Sequence, residues 1–221
     1  MIDPETYYQH EIKGKTAEQI LRKIAELKRE IARLKRAMEH PNYVCGMCPS
    51  EKTQLRCTRM YLERAKRALE EVGSEYWPTA PERRVMDFDE NIDNIDKITL
   101  EIGGFFSVGC VYTVQLGGAF QFWVDGMVSP VPTNINFSED EPMSRDEFIS
   151  EFRELHIGEW RSNYDAERFG IRVLDGIQWS LTVEYNNGCN AFKSSGNNAY
   201  PYNFTDLLEL LGTEALEEEE E

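Results

Sequence analysis

The stretch Trp179-Ser-Leu-Thr-Val-Glu-Tyr-Asn-Asn-Gly188 decides the fold class of this 221-residue chain. Up to Tyr185, large apolar residues alternate with polar ones, which is the pattern of a strand with one buried face. Asn186-Asn-Gly188 then favours a tight turn, and Cys189 to Ser194 forms the returning segment. The sequence therefore predicts an antiparallel β-hairpin.

The chain before this hairpin repeats the period of two. Apolar and polar residues alternate from Lys97 to Ile102, and Gly103-Gly104 indicates a bulge or bend after them. Residues 110–116 and 119–124 flank Gly117-Gly118, which is a strong hairpin signal. These three further strands bring the predicted antiparallel sheet to about five strands.

The helical signals of this region lie outside the strands. Ser144-Arg-Asp-Glu147 is a capping box that opens a helix ending at about His156 or Arg161. Asn203-Phe-Thr-Asp206 begins a short helix that ends at Gly212. Strands grouped apart from helices predict an α+β domain over residues 97–212, with two helices on one face of an antiparallel sheet.

The N-terminal part of the chain carries two amphipathic helices. Thr16-Ala-Glu-Gln19 is a capping box, and the apolar residues that follow recur at alternating spacings of four and three. The two seams are Ile20, Ile24, Leu27, Ile31, Leu34 and Met38 in the first helix, and Leu55, Thr58, Leu62, Ala65, Leu69 and Val72 in the second. This pattern predicts an antiparallel helical hairpin, a coiled coil, over residues 16–74.

Three shorter segments complete the predicted domain organisation. Residues 1–15 form an N-terminal segment, and residues 75–96 are predicted to be a linker because they begin with Trp77-Pro-Thr-Ala-Pro81 and continue with polar residues. Residues 213–221 are predicted to be a disordered acidic tail, since the glutamates from Glu217 to Glu221 repel one another.

The charge of the chain is unevenly distributed. The formal net charge is −16, yet residues 10–72 carry 15 Lys and Arg against 9 Asp and Glu, and residues 73–221 carry 9 against 29. A basic hairpin is thus joined to an acidic domain. The hairpin arginines that could contact nucleic-acid phosphates are Arg29, Arg33, Arg36, Arg56 and Arg59.

The sequence also favours a cytoplasmic protein without a membrane segment. It contains no run of about 18 apolar residues, and Asp3 and Glu5 lie where a secretory signal peptide carries basic residues. Five cysteines, an odd number, are not typical of a secreted disulfide framework. We therefore expect free thiols or metal ligands in a reducing compartment.

Three segments of the acidic domain carry a resemblance. They are Leu155-His-Ile-Gly-Glu-Trp-Arg161, Asp175-Gly-Ile-Gln-Trp179 with the strand that follows, and Gly196-Asn-Asn-Ala-Tyr-Pro-Tyr-Asn-Phe204. They resemble a group of uncharacterised bacterial proteins that end in a Trp-bearing strand, an Asn-Gly turn and a Gly-x-Asn-Ala-Tyr-Pro-x-Asn-Phe segment. The resemblance extends back through the Cys-x-x-Cys hairpin, and it implies no activity and no functional residues.

The turn of the helical hairpin holds the densest cluster of metal-binding residue types. Cys45-Gly-Met-Cys48 has the spacing with which two thiolates share one tetrahedral zinc ion, and Cys57 and His40 could supply the other ligands. A structural zinc site is one interpretation. The alternatives are inert thiols and a redox pair, although the β-α-β context of thioredoxin-like proteins is missing.

Catalytic motifs are few. The chain has three histidines and lacks Gly-x-Ser-x-Gly, the Walker loop, Gly-x-Gly-x-x-Gly and His-Glu-x-x-His. His156 and Glu159 could form an acid/base pair, with Arg161 as an anion contact. Trp160, Trp179 and Tyr200 are better explained as core or platform aromatics than as a ligand cage.

These observations favour a non-catalytic macromolecular interaction protein. We expect a protein-binding adaptor or inhibitor of the kind that mobile elements encode, with an acidic surface that could imitate nucleic acid. The hairpin could also pair with a second copy of the chain. The first alternative is a zinc-assisted nucleic-acid-binding protein that acts through the hairpin arginines, and the second is an enzyme that uses His156, Glu159 and Arg161.

Overall fold

The computed structural model describes residues 2–46, 48–104, 109–129, 143–171 and 176–213. The chain divides into two compact units, unit 1 (Met1–Thr79) and unit 2 (Ala80–Glu221). Within the described ranges, no helix combines the length and the apolar character needed to cross a membrane.

Unit 1 consists of helices α1 (Pro4–Glu11), α2 (Ala17–Met38) and α3 (Glu51–Glu71). The capping box at the start of α2 is present, since the Thr16 hydroxyl accepts a hydrogen bond from the Gln19 N–H and the Gln19 side chain accepts one from the Thr16 N–H. The core of unit 1 consists of Tyr7, Ile12, Ile20, Ile24, Leu27, Leu62, Ala65, Ala68 and Leu69. The first half of α2 thus packs on the second half of α3, so the two helices run in opposite directions.

A two-helix coiled coil is not what unit 1 forms, because α1 covers α3. The Tyr7 ring stacks on the Tyr61 ring with centroids 4.2 Å apart, and Ile12 is 1% exposed. Burial on α3 therefore extends beyond the predicted seam to Cys57, while Val72 at the end of that seam is 49% exposed. The coiled-coil prediction is corrected to a three-helix unit, and the predicted N-terminal segment 1–15 contains α1.

The predicted linker, residues 75–96, also differs from the structure. It contains helix α4 (Ala80–Glu90) and a 3₁₀ turn (Ile92–Asn94), both within unit 2. Pro81 lies in the first turn of α4, where a missing backbone N–H costs no hydrogen bond, so proline marked a helix start instead of a linker. Phe88 and Ile92 are buried in the core of unit 2 and attach this segment to it.

Unit 2 contains a sheet of seven strands in its described part, in the order β4-β3-β2-β1-β6-β7-β5. The strands are β1 (Ile95–Gly104), β2 (Cys110–Gln115), β3 (Gln121–Val124), β4 (Met127–Ser129), β5 (Asn163–Asp165), β6 (Ile177–Tyr185) and β7 (Phe192–Asn197). The five predicted strands correspond to β1, β2, β3, β6 and β7. The prediction missed β4 and β5, which have three residues each, and β5 pairs parallel with β7, so the sheet is mixed.

Helices α4, α5 (Arg145–Glu154) and α6 (Phe204–Leu210) share one core with one face of this sheet. Ile98, Leu100 and Leu181 of the sheet are at most 1% exposed, as are Phe148 and Phe152 of α5. Successive residues of a strand point to opposite faces, so the residues between these apolar ones point away from the helices. We call this second side the open face; its members include Lys97, Thr99, Glu101, Thr113, Gln178, Ser180, Thr182, Glu184, Lys193, Ser195 and Asn197, all of which are exposed or half-buried.

Candidate functional site

A cleft of about 650 Å³ lies at one end of the open face. It forms where the end of β1, the starts of β2 and β6, the end of β7 and the start of β5 come together. Its described lining consists of Glu101, Ile102, Gly103, Gly104, Gly109, Cys110, Val111, Asn163, Gln178, Trp179, Ser180, Ser195, Gly196 and Asn197. Strand pairing thus assembles the cleft from distant parts of the sequence.

The strand register places the polar lining residues in a row across the sheet. Glu101 is paired with Ser180, Ser180 with Ser195, and Ser195 with Asn163. Paired residues project to the same face, so the row extends over β1, β6, β7 and β5. The Ser180 hydroxyl donates a hydrogen bond to the Glu101 carboxylate at 3.2 Å, which positions that carboxylate in the cleft.

Two glycines bring the ends of β1 and β2 close together. A Cβ atom added to Gly103 would lie 3.0 Å from the Gly109 Cα, and one added to Gly109 would lie 3.0 Å from the Ile102 carbonyl oxygen. Both distances are shorter than the usual contacts of Cβ atoms. The glycines are therefore required for the close approach of the two backbones.

The polar side chains of the cleft are hydrogen-bonding groups with one negative charge, and Val111, paired with Glu101, adds an apolar one. Besides the Glu101 carboxylate, the lining offers amides from Asn163, Gln178 and Asn197 and serine hydroxyls, and among the described residues that line the cleft none is a Lys, Arg or His. Trp179 is 3% exposed, and its indole N–H donates to the Ala199 carbonyl on the helix side, so its ring offers no platform to a ligand. This set suits a ligand rich in hydrogen-bond donors and disfavours an anion.

The residues predicted to bind zinc do not form a metal site in the structure. Cys45 and Cys48 are exposed in the loop between α2 and α3, whereas Cys57 is buried on α3. The Nδ1 atom of His40 accepts a hydrogen bond from the Asn42 N–H at 3.1 Å. In the part of the chain that is described, no three His, Cys, Asp or Glu side chains form a group that could hold a metal ion. The zinc site at Cys45, Cys48, Cys57 and His40 therefore stays a prediction that the described geometry does not support.

The structure brings the candidate catalytic residues to one turn but leaves them outside the cleft. His156 has a left-handed backbone (φ 51°) before a 3₁₀ turn (Ile157–Glu159). The Glu159 carboxylate accepts a hydrogen bond from the Tyr202 hydroxyl at 3.4 Å, and the Arg161 guanidinium lies 5.8 Å from the Tyr164 ring centre. None of the three lines the cleft, so the geometry gives the enzyme hypothesis no support.

The candidate phosphate contacts of unit 1 lie in different environments. Arg33 forms an ion pair with Glu30 at 2.7 Å, and Arg29 donates to the Ala25 carbonyl at 3.3 Å. Arg36 and Arg56 are exposed, whereas Arg59 is half-buried. The ion pair on its own helix weakens the attraction of Arg33 for phosphate, and contact of the five arginines with nucleic acid stays a prediction.

The three segments that carry the bacterial resemblance meet in the core of unit 2. Trp160 and Trp179 are 1% and 3% exposed, which confirms them as core aromatics. Their rings lie 5.8 Å apart, and the Trp179 ring lies 4.8 Å from that of Phe204. The Trp160 indole N–H donates to the Asn203 side chain at 2.9 Å, and Tyr200, half-buried, packs on Phe204. These residues therefore stabilise the fold.

The sequence did not reveal the cleft residues, because Glu101 and Asn197 are 96 positions apart and only the register joins them. Two features of the sequence indicated where the cleft lies. Gly103-Gly104 marked the end of β1, and the polar residues between Trp179 and Val183 marked a face that is not core.

Comparisons of this chain with known proteins found no match. No protein-family model matches the chain, and neither a curated protein nor a solved structure matches it significantly.

Proposed function

We propose that the protein is a non-catalytic recognition protein, an adaptor or inhibitor, that binds a basic segment of a partner protein on the open face of unit 2. The observation that carries the proposal is the cleft in that face. Its described lining has a carboxylate, amides and hydroxyls, and it includes neither a cationic side chain nor the His156, Glu159 and Arg161 set. A surface of this kind can hold a polypeptide by hydrogen bonds and charge.

The negative charge of unit 2 favours a basic partner. Residues 80–221 carry 9 Lys and Arg against 28 Asp and Glu. Such an excess attracts cationic segments over distances of about 10 Å at moderate ionic strength and raises the rate of encounter. The same excess repels nucleic acid from the open face, so a protein with Lys or Arg in the bound segment is the partner that the charge favours.

Selection from a random peptide library with the full-length chain as target tests the proposal. We expect the selected peptides to be enriched in Lys and Arg, and their affinity to fall as the salt concentration rises. Peptides without an excess of basic residues would contradict the proposal. Retention of duplex DNA in place of peptides would instead support the alternative in which exposed arginines such as Arg36 and Arg56 contact phosphates.

Two matched variants locate the binding surface. Thr182→Arg places a large cation in the middle of the open face, where Thr182 is paired with Thr99 and with Lys193. Ser150→Arg places the same side chain at an exposed position of α5. We expect Thr182→Arg to weaken binding of a selected peptide about tenfold or more, and Ser150→Arg to change it little. Equal affinities for the two variants would exclude the open face.

A further inference from the structure

We infer that the cleft at the end of the open face is a subsite for a guanidinium group, the side chain of an arginine in the bound segment. The inference rests on the proposed function and names the chemical group that fills its cleft. The supporting observation is a difference between Glu101 and Glu184 on the open face.

Glu184 and Glu101 lie on the same face but differ in their partners. The Glu184 carboxylate forms an ion pair with Lys97 at 2.6 Å. Glu101 accepts a hydrogen bond from the Ser180 hydroxyl, and no Lys or Arg among the described residues forms an ion pair with it. Glu101 is exposed, and an exposed carboxylate without a cationic partner attracts a cationic ligand and can accept charge-assisted hydrogen bonds from it.

The groups around Glu101 match a guanidinium better than an ammonium. A guanidinium is planar and carries five N–H donors in fixed directions, whereas the lysine ammonium is compact, strongly hydrated and has three donors. The Glu101 carboxylate and the Gln178 side-chain amide line one cleft, and both carry acceptor oxygens. Asn197 lines the same cleft, and its amide oxygen, which accepts a hydrogen bond from the Asn198 amide at 2.8 Å, has a second lone pair.

Other ligand classes fit the cleft less well. An anion would meet the Glu101 carboxylate, and no cationic residue in the described part of the lining would offset the repulsion. A sugar would lack the usual aromatic platform, because Trp179 is buried toward the helices. A neutral peptide group would hydrogen-bond to the amides but gain nothing from the charge.

NMR titration of the isotope-labelled full-length chain with three small probes tests the inference. The probes are N-acetyl-arginine amide, its citrulline analogue, which has the same shape without the charge, and the lysine analogue. We expect the arginine probe to shift the signals of Gly103, Gly109 and the side-chain amides of Gln178 and Asn197. Because a charge-assisted hydrogen bond is stronger than a neutral one, its affinity should exceed that of the citrulline probe about tenfold or more, with lysine in between.

Two isosteric variants assign the effect to Glu101. Glu101→Gln removes the charge and keeps the shape, and we expect it to reduce the affinity of the arginine probe to that of the citrulline probe. Glu184→Gln removes the carboxylate that Lys97 already neutralises, and it should leave the arginine affinity within about twofold. The dispersion of the NMR signals verifies that both variants are folded.

Several results would overturn the inference: equal affinities for arginine and citrulline probes, arginine binding that survives Glu101→Gln, or shifts centred on residues outside the cleft. Each of these results can be distinguished from a failure of the proposed function. For example, the selected peptides could bind the unsubstituted protein, fail to bind the Thr182→Arg variant and show no preference for arginine. This result would keep the open face as the binding surface and reject the guanidinium subsite.

Discussion

Gly196 of β7 is the residue on which the packing of Trp179 most directly depends. A Cβ atom at position 196 would lie 2.3 Å from Trp179 Nε1 and 2.5 Å from the Ala199 carbonyl oxygen. We expect Gly196→Ala to lower the free energy of unfolding of unit 2 by about 3 kcal/mol, since overpacking displaces a buried indole and its hydrogen bond. Urea denaturation followed by tryptophan fluorescence measures the change. Lys193→Ala, at an exposed position of the same strand, should stay within about 0.5 kcal/mol, and equal stability of the two variants would contradict the expectation.

Tyr185 makes the stability of unit 2 depend on pH in the alkaline range. Burial, assisted by the nearby Cys189 and Asp89, raises the pKa of Tyr185 from its usual 10.0 to about 12. Between these values the unfolded chain loses the phenolic proton and the folded chain keeps it, so the stabilisation present below pH 10 is lost as the pH rises toward 12. We expect Tyr185→Phe to make the fall in unfolding free energy over this window shallower in urea titrations. A fall of the same steepness in the variant would show that other groups cause it.

The cysteines of unit 1 should differ in reactivity. Cys45 and Cys48 are exposed and Cys57 is 9% exposed. Because a disulfide reagent must reach the sulfur, we expect it to modify the first two thiols rapidly in the folded chain and Cys57 only after unfolding. Mass spectrometry of peptides after a short exposure identifies the modified positions, and Cys57→Ala is the control. Rapid modification of Cys57 in the folded protein would contradict its burial.

At the scale of elements, Arg64 holds α1 on α3. Its guanidinium lies 3.6 Å from the Tyr8 ring centre, 3.1 Å from the Glu5 carboxylate and 3.2 Å from that of Glu71, and its side chain is 11% exposed. We expect Arg64→Gln to destabilise unit 1 by about 1–2 kcal/mol, because a stacked and largely buried cation loses three partners. Urea denaturation followed by far-ultraviolet circular dichroism measures this.

Arg22→Gln is the matched control on α2. Arg22 also has a carboxylate partner, Glu18, but its side chain is 71% exposed, and an exposed pair contributes at most about 0.5 kcal/mol. The two substitutions remove the same charge, so a difference between them reports the position of Arg64 against α1. Equal effects would mean that α1 does not depend on this contact.

At the scale of the whole molecule, each unit has its own core. Unit 1 buries the cluster around Ile20 and Leu69, and unit 2 buries a separate cluster around Trp160 and Trp179. Two separate cores need not have the same stability, so we expect the unfolding curves from far-ultraviolet circular dichroism, to which α2 and α3 contribute strongly, and from tryptophan fluorescence to have different midpoints. Superimposable curves would show that the two units unfold as one.

Several elements were predictable because local pattern and burial agree. The capping boxes at Thr16 and Ser144 are present, and the alternation from Trp179 to Tyr185 is strand β6 with its apolar residues in the core. Elements that depend on distant contacts were missed. The strand β5 has three residues and exists by pairing with β7, while α1 is stabilised by contacts with Tyr61 and Arg64.

The sequence by itself determined the α+β class, the two amphipathic helices α2 and α3 and the five longer strands, because the period of apolar residues depends on neighbours within one element. Only the tertiary structure decided that Cys45 and Cys48 are exposed while Cys57 is buried, and that Glu101, Asn163, Gln178 and Asn197 share a cleft. The physical reason is that register joins residues far apart in the chain, whereas spacing describes residues that are close in it.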